Sequence, residues 1–289
     1  MRENSLLEKE ERYPVEIQKN AEDKYTKLQQ YFLKKKSVAI AFSGGVDSTL
    51  LLKAAHDAIG ESAFAVTAFS SMFPKREREE AEAFCRGAGC RQYVVTVDER
   101  EIEGFENNPP NRCYLCKKAL LSSMKKVARE HGADCLVEGS NVDDRNDYRP
   151  GLLAIEELEI ESPLCLVGMC KEEIRFLLKK FGISAWKKPS FACLASRFVY
   201  GEPITKEKLS MVERGEDYLH RLGFGQYRVR IHGNLARIEL MPGEFVRLME
   251  DGLRMDLEKY FREIGFLYVT LDLKGYEMGS MNRGIIVEK

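Results

Sequence analysis

The sequence lacks the features that mark several common classes of protein. Acidic and basic side chains nearly balance, giving a formal net charge of -1, so no overall field marks the chain as a binder of nucleic acid or of an anionic membrane. No apolar run is long enough to cross a bilayer, and the first residues carry charge where a secretory signal would be apolar. We therefore expect a cytoplasmic protein with no membrane partner, and nucleic acid is disfavoured as a partner.

Histidine and tryptophan are scarce. The four histidines do not cluster at the spacing of metal ligands, and no arrangement of serine, histidine and aspartate suggests a hydrolase triad. The single tryptophan, Trp186, is expected to pack one domain against another. Histidine chemistry is therefore disfavoured.

Cysteine, by contrast, is abundant, with eight residues. Because nothing suggests export, they are better interpreted as thiols or metal ligands than as a disulfide framework. Five are expected to be packing residues, namely Cys85, Cys90, Cys135, Cys165 and Cys170. Three remain as candidates for chemistry: Cys113, Cys116 and Cys193.

Strand-like and helix-like segments alternate from residue 38 onward. Short apolar runs predict strands, and amphipathic stretches that end at Gly60 and Gly182 predict helices. The predicted strands are residues 38–42, 63–68, 93–97 and 135–138, and the predicted helices are 49–59, 75–86, 113–131 and 171–181. This alternation predicts an α/β fold with a Rossmann-like parallel sheet and helices on both faces.

A second, smaller α/β domain is predicted in the last third of the chain. Residues 187–203 are rich in Pro, Ser, Ala and Gly, as in a functional loop or linker. A helix at 205–222 and strands at 227–232, 235–240 and 267–273 are predicted to follow. We therefore divide the chain into a nucleotide-binding domain (1–186), a cysteine-bearing linker (187–204) and a C-terminal domain (205–289).

A glycine-containing turn joins the first predicted strand to its helix. The segment Ser43-Gly44-Gly45-Val46-Asp47-Ser48 places glycines where the backbone must approach a ligand, at a helix N-terminus that favours an anion. It is not a Walker loop, because no lysine follows the required glycine frame. The segment resembles the PP-loop of the ATP pyrophosphatase superfamily. That resemblance implies a site for ATP and Mg2+ formed by Ser43, Gly44, Gly45, Asp47 and Ser48, from which pyrophosphate leaves as an adenylate forms.

The three remaining cysteines could act together. Cys113 and Cys116 form a C-x-x-C pair, and Cys193 lies in the predicted linker, where Arg197 would favour its thiolate. Three thiolates could hold an iron-sulfur cluster with one iron left open. Zinc binding, a redox dithiol and simple packing remain alternatives at this point.

Further motifs resemble those of the LarE family over nearly the whole chain. They lie at residues 138–144, 147–151, 188–197, 200–205, 228–230 and 279–282. The resemblance implies an ATP-dependent sulfur transferase that adenylates the carboxylates of a pyridinium-3,5-biscarboxylic acid mononucleotide and replaces oxygen by sulfur. The product is the precursor of the nickel-pincer cofactor of lactate racemase.

The resemblance also implies two sources of sulfur. In one version Cys193 gives up its own sulfur and becomes dehydroalanine. In the other, Cys113, Cys116 and Cys193 hold a 4Fe-4S cluster whose open iron carries an extra sulfide. Since all three cysteines are present, we favour the cluster, loaded by sulfide or by a persulfide donor. The resemblance further suggests a homo-oligomer.

Charged residues outside the loop complete the predicted site. Arg228 and Arg230 alternate along a strand, so both face one side and suit a phosphate or carboxylate; a solvated strand face is the alternative. The resemblance to the LarE family implies that these two arginines bind the phosphate of the substrate. It places two carboxylates nearby, Glu216 and Glu239. Three residues after a predicted strand could touch ATP or substrate, or form surface salt bridges: Asp143, Asp144 and Arg149.

Three other functions use some of these parts. A tRNA-thiolating PP-loop enzyme would need to hold a polyanion, and no appended basic domain is evident. An ammonia-using ligase such as GMP synthetase would leave the three cysteines unexplained. A non-catalytic nucleotide-binding module would not require both a phosphate loop and an acceptor site.

Overall fold

The computed structural model describes residues 13–146, 151–188, 193–277 and 279–281. Four parallel strands form the first sheet: β1 (Val38–Ala41), β2 (Ala63–Phe69), β3 (Gln92–Thr96) and β4 (Cys135–Val137), in the order β3-β2-β1-β4. The helices of this part are α1 (Val15–Leu33), α2 (Val46–Ile59), α3 (Lys75–Gly87), α4 (Arg112–Glu130), α5 (Gly151–Glu157), α6 (Pro163–Leu166) and α7 (Lys171–Lys180).

Both faces of the first sheet are covered because its central strands are apolar on both sides. Val38 and Ile40 of β1 pack with α1, α2 and α7, whereas Ala39 points to the opposite face, against α4 and α5. Strands buried on both faces are typical of parallel sheets between helix layers. The predicted Rossmann-like sheet is therefore confirmed.

A second, three-stranded sheet has its own core. Its elements are α8 (Lys206–Arg221), β5 (Tyr227–His232), β6 (Leu235–Leu240), α9 (Phe245–Leu248), α10 (Asp251–Glu263) and β7 (Tyr268–Leu271). The order is β5-β6-β7, with β5 antiparallel and β7 parallel to β6. A separate apolar cluster joins α8 and α10 to this sheet through residues such as Val212, Val229 and Phe261. The predicted smaller α/β unit is confirmed as an element of the fold.

Part of the predicted linker is packed into the fold, with Leu194, Ala195, Arg197 and Phe198 buried. Leu194 donates its N–H to the Met72 carbonyl at 2.8 Å, and Gly201 donates to the Asn108 carbonyl at 3.0 Å. These bonds fix residues 193–204 against the loops that follow β2 and β3.

Several sequence predictions need correction. Helix α2 begins at Val46 rather than residue 49, because the turn continues directly into the helix. Strand β4 ends at Val137, and β7 spans four residues instead of the predicted seven. Cys135, Cys165 and Cys170 are only partly buried, unlike Cys85 and Cys90. For Cys170 the reason is local, since it caps α7 and accepts the helix's N3 backbone N–H.

No helix within the described ranges is both long enough and apolar enough to span a membrane.

Candidate functional site

A cavity of about 480 Å³ opens where the parallel strands of the first sheet end. Residues at the carboxyl ends of three strands line it: Ala41, Phe69 and Glu138. Open α/β sheets place ligands at this edge. The PP-loop lines one part of the cavity, and Cys113, Cys116 and Cys193 line another. The two motifs singled out in the sequence therefore face one space.

The serine hydroxyl groups of the PP-loop form hydrogen bonds within the loop itself. The Oγ atoms of Ser43 and Ser48 lie 3.1 Å apart, and the Gly45 N–H donates to Ser43 Oγ at 3.3 Å. Gly44 adopts a φ of +72°, and a Cβ there would approach the Cβ of Ala81 on α3 to 3.0 Å. Only glycine suits both the left-handed backbone and the narrow gap.

Asp47, in the first turn of α2, is the charged group of the loop. It forms an ion pair with Lys171 at the start of α7, and Asn141 Nδ2 donates to it at 3.2 Å. Burial raises the pKa of the Asp47 carboxyl, and the charge of Lys171 opposes this rise without cancelling it. A carboxylate in this position suits a bound cation such as Mg2+.

A second lysine contacts the loop from the linker side. Lys188 Nζ donates to the Gly44 carbonyl at 3.0 Å, and it also pairs with Glu80 at 2.5 Å and Glu77 at 3.4 Å on α3. Helix α3 therefore supports the loop twice, through the packing of Ala81 and through these carboxylates.

The three cysteines come from segments far apart in the sequence. Cys113 and Cys116 lie one turn apart at the start of α4, and Cys193 begins the short turn Leu194–Arg197. Cys113 reaches the surface, whereas Cys116 and Cys193 are half-buried. Burial and the nearby Cys193 raise the pKa values of both the Cys113 and Cys116 thiols. Within the described ranges, no three histidine, cysteine or acidic residues form a compact site for a single metal ion.

Two arginines, Arg197 and Arg112, lie near these thiols. Arg197 is fully buried, pairs with Glu216 through two contacts of 2.8 Å, and donates to the Cys193 carbonyl at 2.9 Å. Arg112 also lies near a thiol, and its guanidinium opposes the rise in the pKa of Cys113. It also stacks on Tyr200, 4.2 Å from the ring centre.

Arg228 and Arg230 are buried. The alternative that they lie on a solvent-exposed face of the strand is therefore wrong. Arg230 donates to Glu239 at 2.8 and 3.0 Å and to the Ser196 carbonyl at 3.1 Å. Arg228 lies 5.1 Å from the Tyr276 ring centre; burial, followed by the charge of Arg197, lowers the pKa of its guanidinium. Neither arginine is among the described residues that line the cavity.

The acidic residues predicted for the site do not lie together. Glu216 and Glu239 are buried, and each forms an ion pair with an arginine. Asp144 lines the cavity. Asp143 accepts the backbone N–H of Lys171 at 2.8 Å. Arg149 lies outside the described residues, as do the motif residues 147–150, 189–192 and 282.

Comparison with known proteins agrees with the geometry. Residues 17–149 match the family model described as the PP-loop domain. A Lactiplantibacillus plantarum protein named pyridinium-3,5-bisthiocarboxylic acid mononucleotide synthase, a LarE protein, is 36% identical over 85% of this chain and 88% of its own length. The chain belongs to the LarE family. LarE membership and the PP-loop together make it an ATP-dependent sulfur transferase.

Two uncharacterized proteins are also similar to this LarE-family chain. One, from Synechocystis sp., is 43% identical over 91% of this chain and 98% of its own length. The other, from Methanocaldococcus jannaschii, is 30% identical over 91% of this chain and 96% of its own length.

Sequence reasoning missed several residues of this LarE-family site. Lys171, Asn141 and Lys117 were given no separate role; Lys117 lines the cavity and pairs with Glu138 at 3.4 Å. Lys117 could have been predicted from its position, because it lies one turn beyond Cys113 and therefore on the same helix face. Lys171 carried no such signal, because only the fold brings α7 to the loop.

Proposed function

We propose that this enzyme adenylates the carboxylates of pyridinium-3,5-biscarboxylic acid mononucleotide with ATP and then replaces oxygen by sulfur. The product would be the thiocarboxylate precursor of the nickel-pincer cofactor. The observation that carries this proposal is the single cavity lined by both the PP-loop and the three thiols. The name of the L. plantarum relative supports the choice of substrate.

Activation would take place at the PP-loop. The loop N–H groups and the N-terminus of α2 would hold the phosphates released as pyrophosphate. Asp47 would hold Mg2+, with Lys171 offsetting its charge until the ion binds. A substrate carboxylate oxygen would attack the α-phosphorus of ATP, and pyrophosphate would leave with the electrons of the broken P–O bond.

Sulfur would come from the cysteine end of the same cavity. We propose that Cys113, Cys116 and Cys193 hold a 4Fe-4S cluster with one open iron. Thiolates are the ligands that such clusters take, and each sulfur binds a different iron, so cluster ligands are spaced more widely than those of a single ion. The bound cluster would supply an iron that carries an extra sulfide.

The substrate phosphate would lie near Arg228 and Arg230, as the family resemblance suggests. Burial and neighbouring arginines disfavour the charged form of Arg228, and a bound anion would relieve that cost. Both side chains would need access to the cavity through movement of residues around Ser196, whose carbonyl accepts from Arg230.

The remaining sequence predictions belong to this proposal as well. We propose the division into domains at 1–186, 187–204 and 205–289, a cytoplasmic location, and a sulfide or persulfide donor. We also propose a homo-oligomer. Apolar side chains exposed on and beside β7 support self-association: Leu267, Tyr268 and Leu273.

The activation step is tested by Asp47→Asn. Substrate-dependent release of pyrophosphate should fall on the order of 10²–10³-fold, because a preorganised charge at the reacting phosphates is lost. Asp251→Asn is the matched control, since that carboxylate is 95% exposed on the first turn of α10. Unchanged release from Asp47→Asn would refute the role given to the loop.

The sulfur step is tested by iron and acid-labile sulfide analysis after anaerobic reconstitution. Wild type should hold about four irons per chain, and Cys193→Ala should lose them while pyrophosphate release persists. If wild type takes up no iron, the sacrificial mechanism is favoured instead. Mass spectrometry after turnover should then find dehydroalanine at Cys193.

A further inference from the structure

A buried carboxylate beside the cysteine end has an incomplete set of partners. Glu99 lies in the short turn Glu99–Glu101 and is 8% exposed. Its Oε2 accepts a hydrogen bond from Ser71 Oγ at 2.9 Å, whereas its Oε1 is buried with no hydrogen-bond partner. Among the lysines and arginines whose side chains the structure describes, none forms an ion pair with Glu99. A buried carboxylate in this state costs free energy that a cation would recover.

The carboxylate lies on the side where the thiols meet. Ile102, whose N–H bonds to the Glu99 carbonyl at 3.1 Å, belongs to the same apolar cluster as Cys116 and Cys193. Ser71, the partner of Oε2, precedes Met72, whose carbonyl accepts the N–H of Leu194 beside Cys193.

We propose that Glu99 is a fourth ligand at the three-cysteine site and that its Oε1 binds the iron that the cysteines leave open. The inference rests on the iron-sulfur cluster of the proposed function. A carboxylate oxygen is a harder ligand than sulfide, and iron in such clusters prefers sulfur. Glu99 would therefore protect the open position while remaining exchangeable for sulfide.

The test compares wild type with Glu99→Gln after anaerobic reconstitution with 57Fe. In wild type, Mössbauer spectra should show one iron in four with oxygen ligation, and this signal should change in Glu99→Gln. Hydrosulfide should bind Glu99→Gln roughly 10-fold more tightly than wild type, because no charged ligand competes. Glu101→Gln is the control: it lies on the same turn, is exposed, and should behave as wild type.

A second measurement needs no variant. Wild type carrying glutamate labelled with 13C at its side-chain carboxylate should show a 13C coupling to the reduced cluster by electron-nuclear double resonance. A cluster with no such coupling, and with the same spectrum in Glu99→Gln, would overturn the role of Glu99 alone. A wild type without iron would overturn the cluster itself, so the two failures are distinguishable.

Discussion

The two ends of the cavity are built in different ways. At the PP-loop end, one continuous segment supplies the phosphate site, and Ser43, Gly45 and Ser48 bond to one another within six residues. At the cysteine end, the thiols come from α4 and from a turn some eighty residues later in the chain. The first arrangement depends on local backbone geometry. The second depends on contacts that only the folded chain provides.

This difference has an energetic counterpart. The loop is held by hydrogen bonds within itself, and Lys171, Asn141 and Lys188 add contacts from other segments. The cysteine end is held by buried polar groups that depend on one another, such as Arg197 with Glu216 and Asn108 with Arg112. Removing one member of a buried pair leaves the other uncompensated. We therefore expect the cysteine end to be the more sensitive to distant substitutions.

The largest effect is expected from Glu216→Gln. It leaves Arg197 buried without its counter-ion, which should lower the free energy of unfolding by about 3–5 kcal/mol. The measurement is urea or thermal unfolding of the two proteins. The control is Glu22→Gln, which breaks an exposed pair with Lys180 and should cost less than about 1 kcal/mol. Equal losses in the two variants would contradict the distinction.

The same pair predicts a dependence on pH. Burial alone would raise the pKa of Glu216, but Arg197, Arg228 and the Val229 N–H together outweigh burial, and the net shift is downward. A lowered pKa means that the stabilisation is present above the ordinary glutamate value of about 4.3 and is lost as the pH falls through the folded value. The advantage of wild type over Glu216→Gln should therefore shrink in acid and hold at neutral pH.

A smaller effect is expected from Asn108→Ala, which tests whether the cysteine end is assembled by long-range bonds. Asn108 is fully buried with a φ of +50°; its side chain donates to the Val199 carbonyl at 2.6 Å and accepts from Arg112. The substitution should lower the free energy of unfolding by about 2–3 kcal/mol. It should also lower iron retention and leave pyrophosphate release little changed. The neighbouring Asn107 is exposed, so Asn107→Ala should leave iron content as in wild type.

The smallest effect is expected from Gly44→Ala, which tests the local end. The added Cβ meets Ala81 in a strained backbone, and ATP should bind about 10–100-fold more weakly, from about 1–3 kcal/mol of strain. Gly168 is a matched control, since its φ of +71° is almost the same but a Cβ there meets nothing within 4 Å. If Gly168→Ala weakens ATP binding equally, the contact with Ala81 is irrelevant.

The extent to which the site could be predicted follows the same division. The loop from Ser43 to Ser48 was predictable because a strand, a glycine turn and a helix are adjacent in sequence. The burial of Arg228 and Arg230 was not, because alternation along a strand shows that two side chains share a face but not what covers it. Here Glu239 and the Ser196 carbonyl cover Arg230. Glu99 had no sequence signal at all.

The sequence by itself determined the α/β class, the phosphate loop and the types of residue available for sulfur chemistry, since hydrophobic period and local turn chemistry are properties of neighbouring residues. Only the tertiary structure decided that Lys171 forms an ion pair with Asp47 and that Arg197 forms one with Glu216. It also decided that the three candidate cysteines line the same cavity as the PP-loop. Those pairings depend on which distant segments the packed core brings together, and no local pattern in the chain encodes them.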